Sequence, residues 1–168
     1  IADSKEHAIC IPYIGPSALT TSQRATVTRE IQKAFKTHEV IGQNFIMFDQ
    51  PRLEEFGFRI PNVRLDTMLA HHLLWPELGM RSKQDDGTEK FAGAHDLAFL
   101  TSTYTNQPFY KHLAQEWRAT ADWQKYWRYN CLDCVVTYEI AQKLEAELIE
   151  FNQWDYYRRN VHDFAYAV

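Results

Sequence analysis

The chain has 168 residues, 45% hydrophobic and 14% aromatic, with a net charge of −4 from 18 basic and 22 acidic side chains. That length suits one domain with a substantial core, and the acidic balance excludes a domain held to nucleic acid by bulk positive charge alone. Three cysteines are too few for a disulfide framework, and neither an apolar run of about 18 residues nor a signal-peptide pattern is present, so a soluble cytoplasmic protein away from the membrane is expected.

From the N-terminus, His7 to Ile14 reads as a strand ending among Pro12, Gly15 and Pro16. Thr20 to Thr37 reads as an amphipathic helix, because Val27, Ile31, Ala34 and Phe35 fall at helical spacing. Glu39 to Gln43 is a short strand running into Asn44, and Phe48 to Phe56 is a helix closed by Gly57. Val63 to Leu65 is another short strand, and Thr67 to Trp75 a helix stopped near Pro76. Strand and helix alternate up to this point, which is an α/β pattern. Residues 79 to 94 are polar, include Asp85-Asp86 beside Gly87, and read as a mobile, solvated surface loop. From Ala94 onward the pattern is helical. Leu97, Leu100 and Tyr104 line one helix, and Pro108 separates it from the next. Trp123 to Phe151 is a long helix with Tyr129, Asp133, Val136, Ile140 and Leu144 along one stripe, and Trp154 to Val168 continues as an aromatic, helical stretch.

Two places set a carboxylate inside an apolar or aromatic run: Asp49, after Asn44-Phe45-Ile46-Met47-Phe48, and Asp133, after Tyr129-Asn130-Cys131-Leu132. A buried carboxylate is costly unless a cation or several donors hold it. Tyr129 and Asp133 are four apart and share a helix face. Two readings are open there: a structural pair bonded through the tyrosine hydroxyl, or a metal-ligating Asp whose Tyr orients an attacking water. Asp49 likewise reads as a helix-start carboxylate favoured by the macrodipole or as a site carboxylate at a strand end. Asn44 has a turn-residue reading, and Asp66 reads first as the N-cap of the helix that follows it. Cys131 and Cys134 form a C-x-x-C with no second pair for zinc. Of His71-His72, one packs and the other is exposed. Phe45, Phe48 and Tyr129 are the aromatic residues placed to stack on a base near these carboxylates.

In order, these segments resemble the motifs of the DEDDy-type 3′–5′ exonucleases, a ribonuclease H-like superfamily with an Asp-Glu-Asp-Asp core and a Tyr in its third motif. Gly42 to Asp49 resembles the second motif, Asn-x(2–3)-Phe/Tyr-Asp. Asp66-Thr67-Met68 resembles the Asp-Thr-Met that follows the next strand, and Tyr129-x-x-x-Asp133 the third motif. The set is most similar to the proofreading domain of a family A DNA polymerase of phage or bacterial type. The resemblance implies an α/β, ribonuclease H-like exonuclease fold, a mixed sheet flanked by helices with a helical C-terminal part. It implies residues 1–150 as the exonuclease-like domain and 151–168 as the start of a helical connection to a following region. It further implies hydrolysis of the 3′-terminal phosphodiester of single-stranded DNA by two Mg²⁺ or Mn²⁺ ions about 3.5–4 Å apart. Asp49 and Asp133 would be ligands and Tyr129 the positioner of water. Asn44, Phe48 and Asp66 would bind the terminal nucleotide, in a bacterial or phage-infected cytoplasm.

One motif is missing. The superfamily's first strand carries Asp-x-Glu, and this sequence contains no Asp-x-Glu. The resemblance therefore implies a sheet lacking its first strand, self-association through the exposed sheet edge, and a chain inactive by itself. The alternatives are a non-catalytic nucleic-acid-binding or structural domain of the same fold, and a stand-alone exonuclease of the ribonuclease D type. A polymerase region in the same parent chain would exclude the last.

Overall fold

The computed structural model describes residues 1–13, 19–78, 80–83, 89–92 and 94–167. Helix α1 (Thr21–Thr37) starts at Thr20, whose hydroxyl accepts from the Gln23 amide while the Gln23 side chain accepts from the Thr20 amide. This reciprocal box satisfies two N–H groups that a helix start otherwise leaves unpaired. Strands β1 (Val40–Gly42) and β2 (Val63–Asp66) pair in parallel, with Ile41 opposite Leu65 and Gly42 opposite Asp66. A parallel pair needs a crossover, and here it includes a π-helical turn, Phe45–Asp49, and the short helix α2 (Gln50–Glu55). The expected helix over residues 48 to 56 is thus two pieces with different winding. Two backbone demands set the bend. Asn44 takes a left-handed conformation at φ 52°, which asparagine tolerates better than most residues. A Cβ on Gly42 would lie 2.5 Å from Cβ of Phe45, so only glycine lets the turn close against the strand.

Helix α3 (Thr67–Leu74) follows β2 directly and ends one residue before Trp75, with Pro76 opening a 3₁₀ turn. Strands β3 (Met80–Lys83) and β4 (Glu89–Ala92) form an antiparallel pair. The polar stretch was expected to be irregular. A ladder of backbone hydrogen bonds needs no apolar alternation, so the polar composition concealed the pairing. Asp85 and Asp86 lie outside the described residues.

Helices α4 (Leu97–Tyr104), α5 (His112–Thr120) and α6 (Trp123–Glu150) follow. Asp96 and Asp122 cap α4 and α6 through backbone amides of their first turns. The chain closes with α7 (Trp154–Tyr156), a second π-helical turn at Tyr157–His162, and α8 (Asp163–Ala167).

The expected strand at His7 to Ile14 is not formed among its described residues. Ala8 instead makes a single antiparallel bridge with Ala2, and the Ile9 amide donates to the Ile1 carbonyl at 2.8 Å. The segment folds back on its own neighbours, which satisfies its backbone locally. Ile14, Gly15 and Pro16 lie outside the described residues. The mixed sheet expected from sequence is, among the described residues, a parallel pair and a separate antiparallel pair in a helix-rich molecule.

The main core is built on the inner stripe of α6. Val136, Ile140, Ala141, Leu144 and Leu148 pack with Leu65, Ala70, Leu100, Tyr104 and Tyr157. A second cluster, Phe45, Ile46, Phe58, Ile60 and Val63, lies under α1, with Ile31 and Phe35 against it. Within residues 151–167, Trp154, Tyr157, Val161 and Ala165 pack on these cores. The Tyr157 hydroxyl accepts the Asp66 amide at 2.8 Å, and Arg158 donates to the carbonyls of Val63 and Arg64. Arg64 in turn is held by Glu145 of α6 and by Glu39. Side chains of the C-terminal segment and of α6 therefore brace β2, where a longer sheet would use further strands.

Candidate active site

Asp66 is the internal brace of the site. It is 1% exposed, and its carboxylate accepts four backbone N–H groups, from Asn44, Ile46, Met68 and Leu69. Two belong to the start of α3 and two to the turn after β1, so one side chain joins both crossover ends. Burial pushes its carboxyl up, opposed by those four amides. The sequence placed Asp66 among nucleotide-binding residues. Its carboxylate is turned inward onto these four backbone amides.

Asn44 lies at the bend, with its amide on Asp66 Oδ1 at 3.0 Å. The π turn then presents Met47 and Phe48 outward, 58% and 60% exposed, and ends at Asp49 on the surface. Crowding by surrounding protein, then the charges of Asp66 and Asp133, push the Asp49 carboxyl up to about 6.

Tyr129 and Asp133 sit one turn apart on α6 and share a cluster that the sequence did not signal. Lys111 Nζ donates to Asp133 Oδ1 at 2.6 Å and to the Tyr129 hydroxyl at 3.3 Å. The Tyr110 hydroxyl donates to the same Oδ1 at 2.6 Å. The ammonium lies 5.0 Å from each of the Tyr110 and Tyr129 ring centroids, a cation–π distance. Burial first, and then Asp133, push the Tyr129 hydroxyl up, while Lys111 pulls it back. Tyr110 and Lys111 were missed because they precede Asp133 by more than twenty positions, in the turn after Pro108. No spacing rule joins them to α6.

Two further groups of titratable side chains lie outside this cluster. Of the adjacent histidines, His71 is buried and His72 exposed. His71 Nδ1 lies 2.7 Å from His95 Nδ1, so one ring donates and the other accepts. Burial, then His95 and His72, lower His71 to about 4. Cys10 lies near the C-x-x-C of α6. Its thiol is pushed up by burial and then by Cys131. Among the described residues, no group of three or more His, Cys, Asp or Glu side chains is gathered to hold a metal ion. No helix among them is long and apolar enough to cross a membrane.

A family profile described as 3′–5′ exonuclease matches residues 14–149, most of the chain. The chain belongs to that 3′–5′ exonuclease family, and its helix-rich architecture with a small parallel sheet is consistent with such a domain. No curated protein and no solved structure matches it.

The divalent ions that such a domain normally uses can be tested against the donors present. Two cations carry a charge of +4. Asp66 is spent on backbone amides and Asp133 already faces an ammonium, which leaves Asp49 as the uncommitted acid of the three. This donor set does not fit a two-ion site.

Proposed function

We propose that this chain is a DNA-directed proofreading exonuclease domain with a ribonuclease H-like arrangement, working in the cytoplasm on single-stranded 3′ ends. The observation that carries this is the exonuclease family match over residues 14–149, within which Tyr129 and Asp133 stand one turn apart on α6 and share Lys111. In the complete reaction, divalent ions would supply a nucleophilic water and stabilise the leaving oxygen. The residues present have narrower tasks. Asp49 and Asp133 offer carboxylates from two different elements. Tyr129 offers a hydroxyl beside Asp133, and exposed Phe48 and Met47 offer an apolar shelf for a terminal base. Asn44 sets the angle of that shelf through its left-handed backbone.

In this reading the 168 residues alone do not hydrolyse DNA, because the set lacks Asp-x-Glu and one of its acids carries a lysine. The same observation favours a second reading, a domain that binds strand ends without cutting them. Any pairing with another sheet would use β1, since Tyr157 and Arg158 already occupy backbone groups of β2. The test is Mn²⁺-dependent nucleotide release from 5′-labelled single-stranded DNA by the chain and by Asp133→Ala. No release by either is expected. Release by the unmodified chain that vanishes in Asp133→Ala would overturn the inactivity.

A further inference from the structure

Lysine ammonium groups are strongly hydrated, and a surface lysine usually keeps its charge in water. Lys111 departs from that habit. Its side chain is 21% exposed, and its partner Asp133 is 26% exposed. The ordinary surface pair Arg29–Glu30, by contrast, leaves 70% and 58% of its side chains exposed.

The position of Lys111 is built by its neighbours. Tyr110 before it is 4% exposed and pinned in the main core. Helix α5 after it is fastened to α6 by Trp117 stacked on Tyr126 at 4.4 Å and by Glu116 paired with Lys125. Both ends of the turn are thus fixed to the helix that carries Asp133. The ammonium arrives between two aromatic rings and a carboxylate, all from that framework.

We infer that Lys111 is the resident cation of Asp133, a positioning residue that holds the carboxylate and the Tyr129 hydroxyl together and competes with divalent ions for Oδ1. The inference rests on Asp133 being a ligand position in the proposed function. A divalent ion reaching Oδ1 must displace the ammonium, and Lys111 then releases the Tyr129 hydroxyl as well. Removing the ammonium leaves a partly enclosed, uncompensated carboxylate, which is a better site for an added cation. A charge-assisted contact of this kind corresponds to roughly tenfold or more in affinity.

The experiment is Mn²⁺ binding to the whole chain, measured by the loss of the free-ion electron paramagnetic signal. The chain, Lys111→Met, Lys111→Gln and Lys111→Met with Asp133→Asn are compared, with circular dichroism confirming the fold of each. Either single variant is expected to bind Mn²⁺ about tenfold more tightly than the unmodified chain, with the gain lost in the double variant. Equal or weaker binding in a folded single variant overturns the inference, as does a gain that survives Asp133→Asn. Should both single variants fail to fold, the unmodified chain and Asp133→Asn carry the test. With ¹³C-labelled lysine, the Lys111 Cε resonance must move when Asp133 is replaced by Asn, and an unmoved resonance overturns the inference. None of these readouts uses DNA. Tightened Mn²⁺ binding without strand cleavage therefore keeps the inference while the nuclease reading of these residues fails, and cleavage with unchanged Mn²⁺ affinity does the reverse.

Discussion

Two aspartates of similar local sequence setting have opposite fates. Asp66 and Asp49 each stand at the boundary between one element and the next, and each reads as a helix-start carboxylate. Asp66 is closed in and receives four amides. Asp49 is left at the surface with its carboxyl pushed up to about 6 by crowding and by Asp66 and Asp133. Asp66→Ala strands four backbone donors, two of them at the bend after β1. The expected loss is about 2–4 kcal/mol of stability, read from urea unfolding followed by circular dichroism. A loss below about 0.5 kcal/mol, the ordinary scale of a surface substitution, would show that the amides find other partners.

At the scale of elements, the site depends on β1 and β2 holding register across only a few residues. A two-stranded sheet is marginal by itself, and here the missing support comes from helices and side chains. Tyr157 is fully buried, and its hydroxyl takes the Asp66 amide. Burial pushes that hydroxyl up, so it stays protonated. Tyr157→Phe keeps the ring in the core and removes this bond together with the hydroxyl's donation to the Asp66 carbonyl at 3.3 Å, with an expected loss of about 1–3 kcal/mol. Amide hydrogen exchange at Asp66 should then accelerate, while exchange in the middle of α6 tracks only the global loss. Unchanged protection at Asp66 would mean that the Tyr157 hydroxyl does not support the strand. The turn carrying Tyr110 and Lys111 shows the same dependence on neighbours, since α5 buries none of its own residues fully and gains its position by packing on α6.

At the scale of the whole molecule, stability should depend on acid through buried His71 and its partner His95. His71 is held at about 4, below its ordinary 6.5, by burial and by His95 and His72. Between those values the unfolded chain binds more protons than the folded one, so stability is lost as pH falls from about 6.5 towards 4. Asp49 works in the opposite direction, because its carboxyl is raised, so the variant comparison isolates the histidine. His71→Phe should flatten the fall in urea midpoint between pH 7 and pH 5. An equal slope in both proteins would assign the acid sensitivity elsewhere.

The sequence by itself determined the long stripe of α6, the turn at Asn44, the strand–helix junction at Asp66, and the spacing of Tyr129 and Asp133. Each of these is written in residues a few positions apart, where backbone geometry fixes which side chains share a face. Tertiary structure alone decided that the N-terminal segment closes on itself, that a polar stretch pairs as β3 and β4, and that Lys111 faces Asp133. These contacts are settled by which backbone groups and charges remain unpaired after the helices pack. An ammonium twenty-two positions from a carboxylate is invisible to any periodicity, and only the docking of α5 on α6 brings the two together.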